Sequence, residues 1–224
     1  MGLLEDLRRQ ASAINDQQQD TAAIYAARVQ LVDNCLAQIY HYLADLSSHL
    51  NVVKPKTNKK LEFTPNMVFD DLNVSNFFID YRKTRKLERD VFNDIVFAFN
   101  YQGPENFTVK KELPLEIERL SDQLKQLGIK YEREDFKNQR RLLSHSNFVL
   151  FSDIRAGLKI IADYDYGQIL FKLKNIERLG VVDYLFMAEH INDSKLEELA
   201  HLLLGEPNKF RTNTAPMRLN LPKA

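Results

Sequence analysis

Apolar positions along the first fifty residues keep a helical period. Between Leu3 and Leu50 there is neither proline nor glycine, so nothing interrupts a helix of roughly 70 Å. Its second half places Ala22, Tyr25, Val29, Val32, Leu36, Ile39, Leu43, Leu46 and Leu50 at alternating steps of three and four, the spacing of a coiled-coil seam. The first half carries another seam, Leu4, Leu7, Ala11 and Ile14. It joins the later one through Gln18 by two consecutive steps of four, a stutter marked by the run Gln17-Gln18-Gln19. The pattern predicts a long coiled-coil-like helix over 1–50.

Asn51 and Pro55 end that pattern, and the basic, turn-forming stretch Lys54 to Lys60 opens a segment, 51–75, that reads as a linker. From there the period changes to two. Phe77, Ile79 and Tyr81 alternate with polar residues, as do Ile95, Phe97, Phe99 and Tyr101, then Phe107 and Val109. Pro114 opens a helix bearing Ile117, Leu120, Leu124 and Leu127 on one face, with Gly128 as its stop. Further strands are predicted at 129–137, 141–152, 156–164 and 168–174, with a turn at Asp165-Tyr166-Gly167. Residues 181–191 fit strand or helix. Asn192 or Asp193 caps a last helix through Leu196, Leu199 and Leu203 to Gly205. The expectation is an α+β chain in which the long helix precedes an antiparallel meander sheet with covering helices, the α+β domain spanning 76–205. The order of three strands and then a helix occurs twice, around 76–127 and 140–204. From Glu206 onward the segment to 224 carries Pro207, Pro216 and Pro222 with Lys209, Arg211, Arg218 and Lys223, and reads as a flexible basic tail.

Composition narrows the partners. Of 224 residues, 31 are Lys or Arg and 31 are Asp or Glu, so any attraction to polyanions must come from local patches rather than bulk charge. The single cysteine, Cys35, excludes an internal disulfide framework and a Cys-based zinc site of the usual spacing. Glu5 and Asp6 precede any apolar run that a secretory leader would need, and the longest apolar runs are strand-sized, so a cytoplasmic protein with no membrane partner is expected.

Candidate chemistry is sparse. No glycine-rich phosphate loop, nucleophile elbow, metalloprotease helix or dinucleotide signature is found, and the seven glycines leave few places for close backbone approach to a phosphate. His41, Asp45 and His49 share a helix face but read as a solvated one, Glu197 and His201 as a helix pair, Cys35 as a packed thiol, and Asp163 and Asp165 as turn formers. No cofactor, metal or catalytic residue is assigned. Among the basic clusters the most specific is Arg82, Lys83, Arg85 and Lys86, beside an aromatic strand at an expected hairpin tip, which makes these four the candidate phosphate contacts.

Function is therefore ranked rather than read. First stands a non-catalytic interaction or assembly subunit that presents the helix to a protein partner, with Tyr25, Val29, Val32, Leu36, Ile39, Leu43 and Leu46 as the interface and a homodimer its simplest form. Second is a nucleic-acid-binding accessory protein using the basic hairpin, and third an enzyme with an unrecognised site. A strict period of 3.5 favours a helical partner. Leu31, Cys35 and Tyr42 widen the apolar face and favour packing on the chain's own sheet or in a larger bundle, so a second copy, a partner's helix and the sheet all remain as covers for the seam.

Overall fold

Freedom from helix breakers is realised in full: α1 runs unbroken over Leu3–Val53 in a computed structural model that describes residues 3–215, with side-chain surroundings from Gln18 onward. It stops where Lys54 turns into the left-handed region at φ 46° and Pro55 bars continuation. After β1 (Leu61–Thr64) and β2 (Met67–Phe69) come β3 (Asn73–Lys86), β4 (Arg89–Gln102) and β5 (Phe107–Lys111). Then follow α2 (Pro114–Leu127), β6 (Ile129–Lys137), β7 (Leu143–Asp163), β8 (Gln168–Lys174), β9 (Val181–Met187) and α3 (Asp193–Leu204). Both later helices end as their sequences require, with Gly128 at φ 70° and Gly205 at φ 77°, each donating its N–H to carbonyls of the last turn. Asn192 caps α3 by accepting from the Lys195 N–H.

Strand β7 is the spine of one antiparallel sheet. Its first half pairs with β5 on one side and β6 on the other, and its second half with β4 and β8. Strand β3 extends the sheet beyond β4, and β9 extends it beyond β8. Alternation along the spine sorts the faces. Phe148, Leu150, Ile154, Ala156, Leu158 and Ile160 point to a buried side, where they join Phe97, Phe99 and Tyr101 of β4 and the apolar faces of all three helices in one core. Among the described residues, the opposite face, bearing Val96, Ala98, Arg155, Lys159, Lys172 and Lys174, carries no helix. The result is two layers, helices on one side of a sheet whose other side meets solvent.

The expected α+β architecture holds, with informative departures. Residues expected as two strands, 141–152 and 156–164, form one strand, because the sheet changes pairing partners around Asp153 while the alternation continues unbroken. The segment 51–75 holds the β1–β2 hairpin, which buries Leu61 and Phe69 completely. Residues 181–191 resolve into β9 and a single 3-10 turn. The three-strands-and-helix order recurs, but β5 leaves β4 to pair with β7 whereas β9 stays on β8, so the two passages pair differently. Of the segment 206–224, residues 216–224 lie outside the described residues. Residues 206–215 pack on the body: Phe210 is fully buried among Phe171, Tyr184 and Phe186, and the Ala215 N–H donates to the Leu185 carbonyl. One aromatic side chain outweighs the polar, proline-rich composition around it. Lys195 fastens the same segment by donating Nζ hydrogen bonds to the carbonyls of Phe210 and Thr212.

Leu36 sits fully buried between α1 and the sheet. Leu36→Ala is expected to lower unfolding stability by about 2–5 kcal/mol through lost burial and a residual cavity. Denaturant titration followed by circular dichroism measures the loss; a change below about 1 kcal/mol would mean that the side chain is not in the core of the single chain.

Candidate functional site

Val29, Val32, Leu36, Ile39 and Leu43 are fully buried within one chain, while Tyr25 and Leu46 are half-buried at the margins of the same core. The cover is the chain's own sheet, chiefly β3 and β4, with further contacts from β7 and α3. Polar contacts fix the helix there. Asp33 accepts from the Phe92 N–H at 2.9 Å, Gln38 and Tyr42 reach Asp193 and Glu197 on α3, and Arg28 donates to the Asp165 carbonyl. Asn51 acts as a substitute strand residue, donating to the Phe77 carbonyl and accepting from its N–H, which closes part of the exposed edge of β3. None of these polar partners shows in an apolar count; their one signal is that they flank the seam.

A strict heptad spacing therefore serves a sheet here. A straight helix drifts only about 20° per heptad against a 3.5-residue repeat, so the four repeats from Ala22 stay within an apolar face of about 100° or wider, which a sheet can cover. Five of the seven interface candidates are thereby withdrawn from any partner. N-terminal to Tyr25 the situation reverses: residues 18–24 are exposed without exception, Ile24 by 59%. The side chains of the first seam, Leu4, Leu7, Ala11 and Ile14, lie outside the described residues.

The four hairpin cations do not form one cluster. Strand alternation sends Arg82 and Lys86 to one face of the β3–β4 hairpin and Lys83 and Arg85 to the other. Arg82 grips Asp94 with two nitrogens, Nε at 3.0 Å and Nη2 at 2.6 Å, and Asp94 is only 2% exposed. Burial pushes the Asp94 carboxyl up. The hydrogen bonds from Arg82 and Asn93, with the charges of Arg82 and Lys159, outweigh burial and hold it below the ordinary carboxylate range. Lys83 lies over the rings of Tyr81 and Phe92, at 5.9 and 5.6 Å from their centroids. Lys86 lines a cleft of about 580 Å³ floored by Ile161, Leu170 and Leu185. Arg82 and Lys83 are thus engaged by the protein itself.

Among the other candidates, burial pushes the Cys35 thiol up to about 12, so it stays protonated and packs as an apolar group. His49 contacts Asp45 at 3.6 Å on an exposed helix face, whereas His41 turns edge-on to Tyr40. Among the described residues no group of three or more His, Cys, Asp or Glu is placed to hold a metal ion, and no helix is long and apolar enough to cross a membrane. Neither a family model, a curated protein nor a solved structure matches the chain.

Removing Arg82 strands a buried carboxylate. Arg82→Ala is expected to lower the thermal midpoint near neutral pH. A group whose folded pKa is lowered stabilises above its unfolded value, here 3.8, and loses that contribution as pH falls through the folded value, so the gap between variant and wild type should close in acid. Thermal unfolding of both proteins across that range checks it; no loss at neutral pH would return Arg82 to the pool of free cations.

Proposed function

We propose that the chain is a non-catalytic assembly subunit whose projecting part of α1, N-terminal to Val29, pairs with the same helix of a second copy. One observation carries this reading. Burial ends at Val29, Tyr25 and Arg28 are half-buried and residues 18–24 are exposed, while the helix continues unbroken to Leu3. In sequence, Leu4, Leu7, Ala11 and Ile14 repeat the spacing of the later seam and join it through Gln18 and Ala22. The sheet covers none of residues 18–24, so on this reading the seam N-terminal to them is covered by a partner. A helix partner fits it because seam residues spaced by three and four interdigitate with their counterparts. The basic hairpin supports the nucleic-acid reading less, since Arg82 and Lys83 are already engaged.

Sedimentation equilibrium tests the proposal. Wild type should self-associate in the micromolar range. Leu7→Asp/Ile14→Asp, which would place unpaired charge in the contact, should be monomeric with an unchanged unfolding midpoint. A wild type that stays monomeric throughout that range, or an association that survives the double substitution, overturns the reading.

A further inference from the structure

The uncovered face of the sheet has a row whose members come from four strands. Register places Phe78 of β3 opposite Ala98 of β4, Ala98 opposite Gly157 of β7, and Gly157 opposite Lys174 of β8. Side-chain size along that row runs large, small, none, large, so the middle is a hollow between an aromatic wall and a cationic one. The floor is tight: a Cβ at Gly157 would stand 2.4 Å from the Phe97 carbonyl oxygen. A cleft of about 300 Å³ adjoins the row between Phe78 and Arg155, lined also by Ala98, Asn100, Lys130 and the carboxylate of Asp153. Lys174 reaches the same wall, its Nζ lying 3.2 Å from where a Cβ of Gly128 would stand.

Charge concentrates around Gly157. Arg155 and Lys159 flank it on β7, each about 7 Å along the strand, and Lys174 faces it across the ladder. Lys159 also stands directly opposite Lys172, an arrangement that weakens a sheet unless something neutralises it. The nearby carboxylates have partners: Asp153 takes Asn100 and Lys130, Asp183 takes Lys172 at 2.7 Å, Asp94 takes Arg82 and feels the charge of Lys159, and Asp80 accepts from the Tyr81 N–H. Arg155, Lys159 and Lys174 close no ion pair among the described residues. Meanwhile Phe78 is 58% exposed, an aromatic ring held out on a sheet face.

The geometry points to a nucleotide site on this face, with the base stacked on Phe78 and a phosphate over Gly157 among Arg155, Lys159 and Lys174. Two strand spacings separate Phe78 from Gly157, about 10 Å, which matches the reach from a nucleobase to its 5′ phosphates. Stacking on an exposed aromatic while cations track the phosphates is the general chemistry of nucleotide recognition on sheets. The ligand is either a free nucleotide or one unit of a single strand. The site uses neither the projecting helix nor the hairpin tip, and it stands independently of the assembly reading.

Calorimetric titration with ADP and fluorescence anisotropy with an oligo(dT) of about 12 nucleotides, both at low salt, test it. Phe78→Ala should weaken binding by about tenfold, and Arg155→Gln/Lys174→Gln should lower the slope of log affinity against log salt by about 1.4 for the strand. Lys83→Gln/Arg85→Gln should change neither. Binding of ADP identifies a free nucleotide as the ligand, and binding of oligo(dT) alone identifies a strand; either supports the site. Absence of binding by both probes overturns it. So does pyrophosphate binding as tightly as ADP with no effect of Phe78→Ala, which would leave only an anion patch. All substituted side chains except Lys174 are exposed, and an unchanged thermal midpoint of each variant confirms that its fold is intact.

Discussion

Burial of one helical stripe, Val29 to Leu43, on the sheet is the contact from which the remaining organisation follows. It sets which side of the sheet becomes the core, because Phe97, Phe99 and Tyr101 must point toward the helix that covers them. It also determines where polar groups on α1 can work. Asp33 and Asn51 hydrogen-bond strand backbone only because the stripe between them holds the helix against β3 and β4. Helix α3 and the segment after it complete the layer, with Phe210 filling the space between β8 and β9 and Lys195 fixing the backbone that carries it.

Placing every helix on one face leaves two surfaces for interaction, and they differ in chemistry. The N-terminal part of α1 repeats an apolar period in sequence, which on the assembly proposal suits another helix. The open sheet face mixes Phe78 with Arg155, Lys159 and Lys174 and suits an anion with an aromatic group. A protein with both would join assembly to nucleotide recognition.

Much of the fold is legible in sequence because its signals are local. Period-two runs mark the strands, Gly128 and Gly205 close helices, and Asn192 opens one. What escaped depends on distant residues. The spine β7 reads as two strands because Asp153-Ile154-Arg155 resembles a break, whereas in space it is where β5 and β6 hand over to β4 and β8. The seam is visible, but its cover is not, since spacings of 3.5 and 3.6 residues stay close over four repeats. The segment 206–215 looks free by composition, and only the burial of Phe210 places it. Of the four hairpin cations, Arg82 finds Asp94 through the β3–β4 register, which no spacing along the chain announces. The row from Phe78 to Lys174 is invisible for the same reason, as its members become neighbours only once three pairs of strands are in register.

If α1 divides as proposed into a part buried within the chain and a part that meets a second copy, hydrogen–deuterium exchange along the helix at a series of protein concentrations reveals the boundary. Amides from Val29 to Val53 should be protected as strongly as the core of β7 at every concentration, while those N-terminal to Tyr25 should gain protection as concentration rises. Protection that rises with concentration along the whole helix, Leu36 and Leu43 included, would contradict the account, because the seam would then lie between chains.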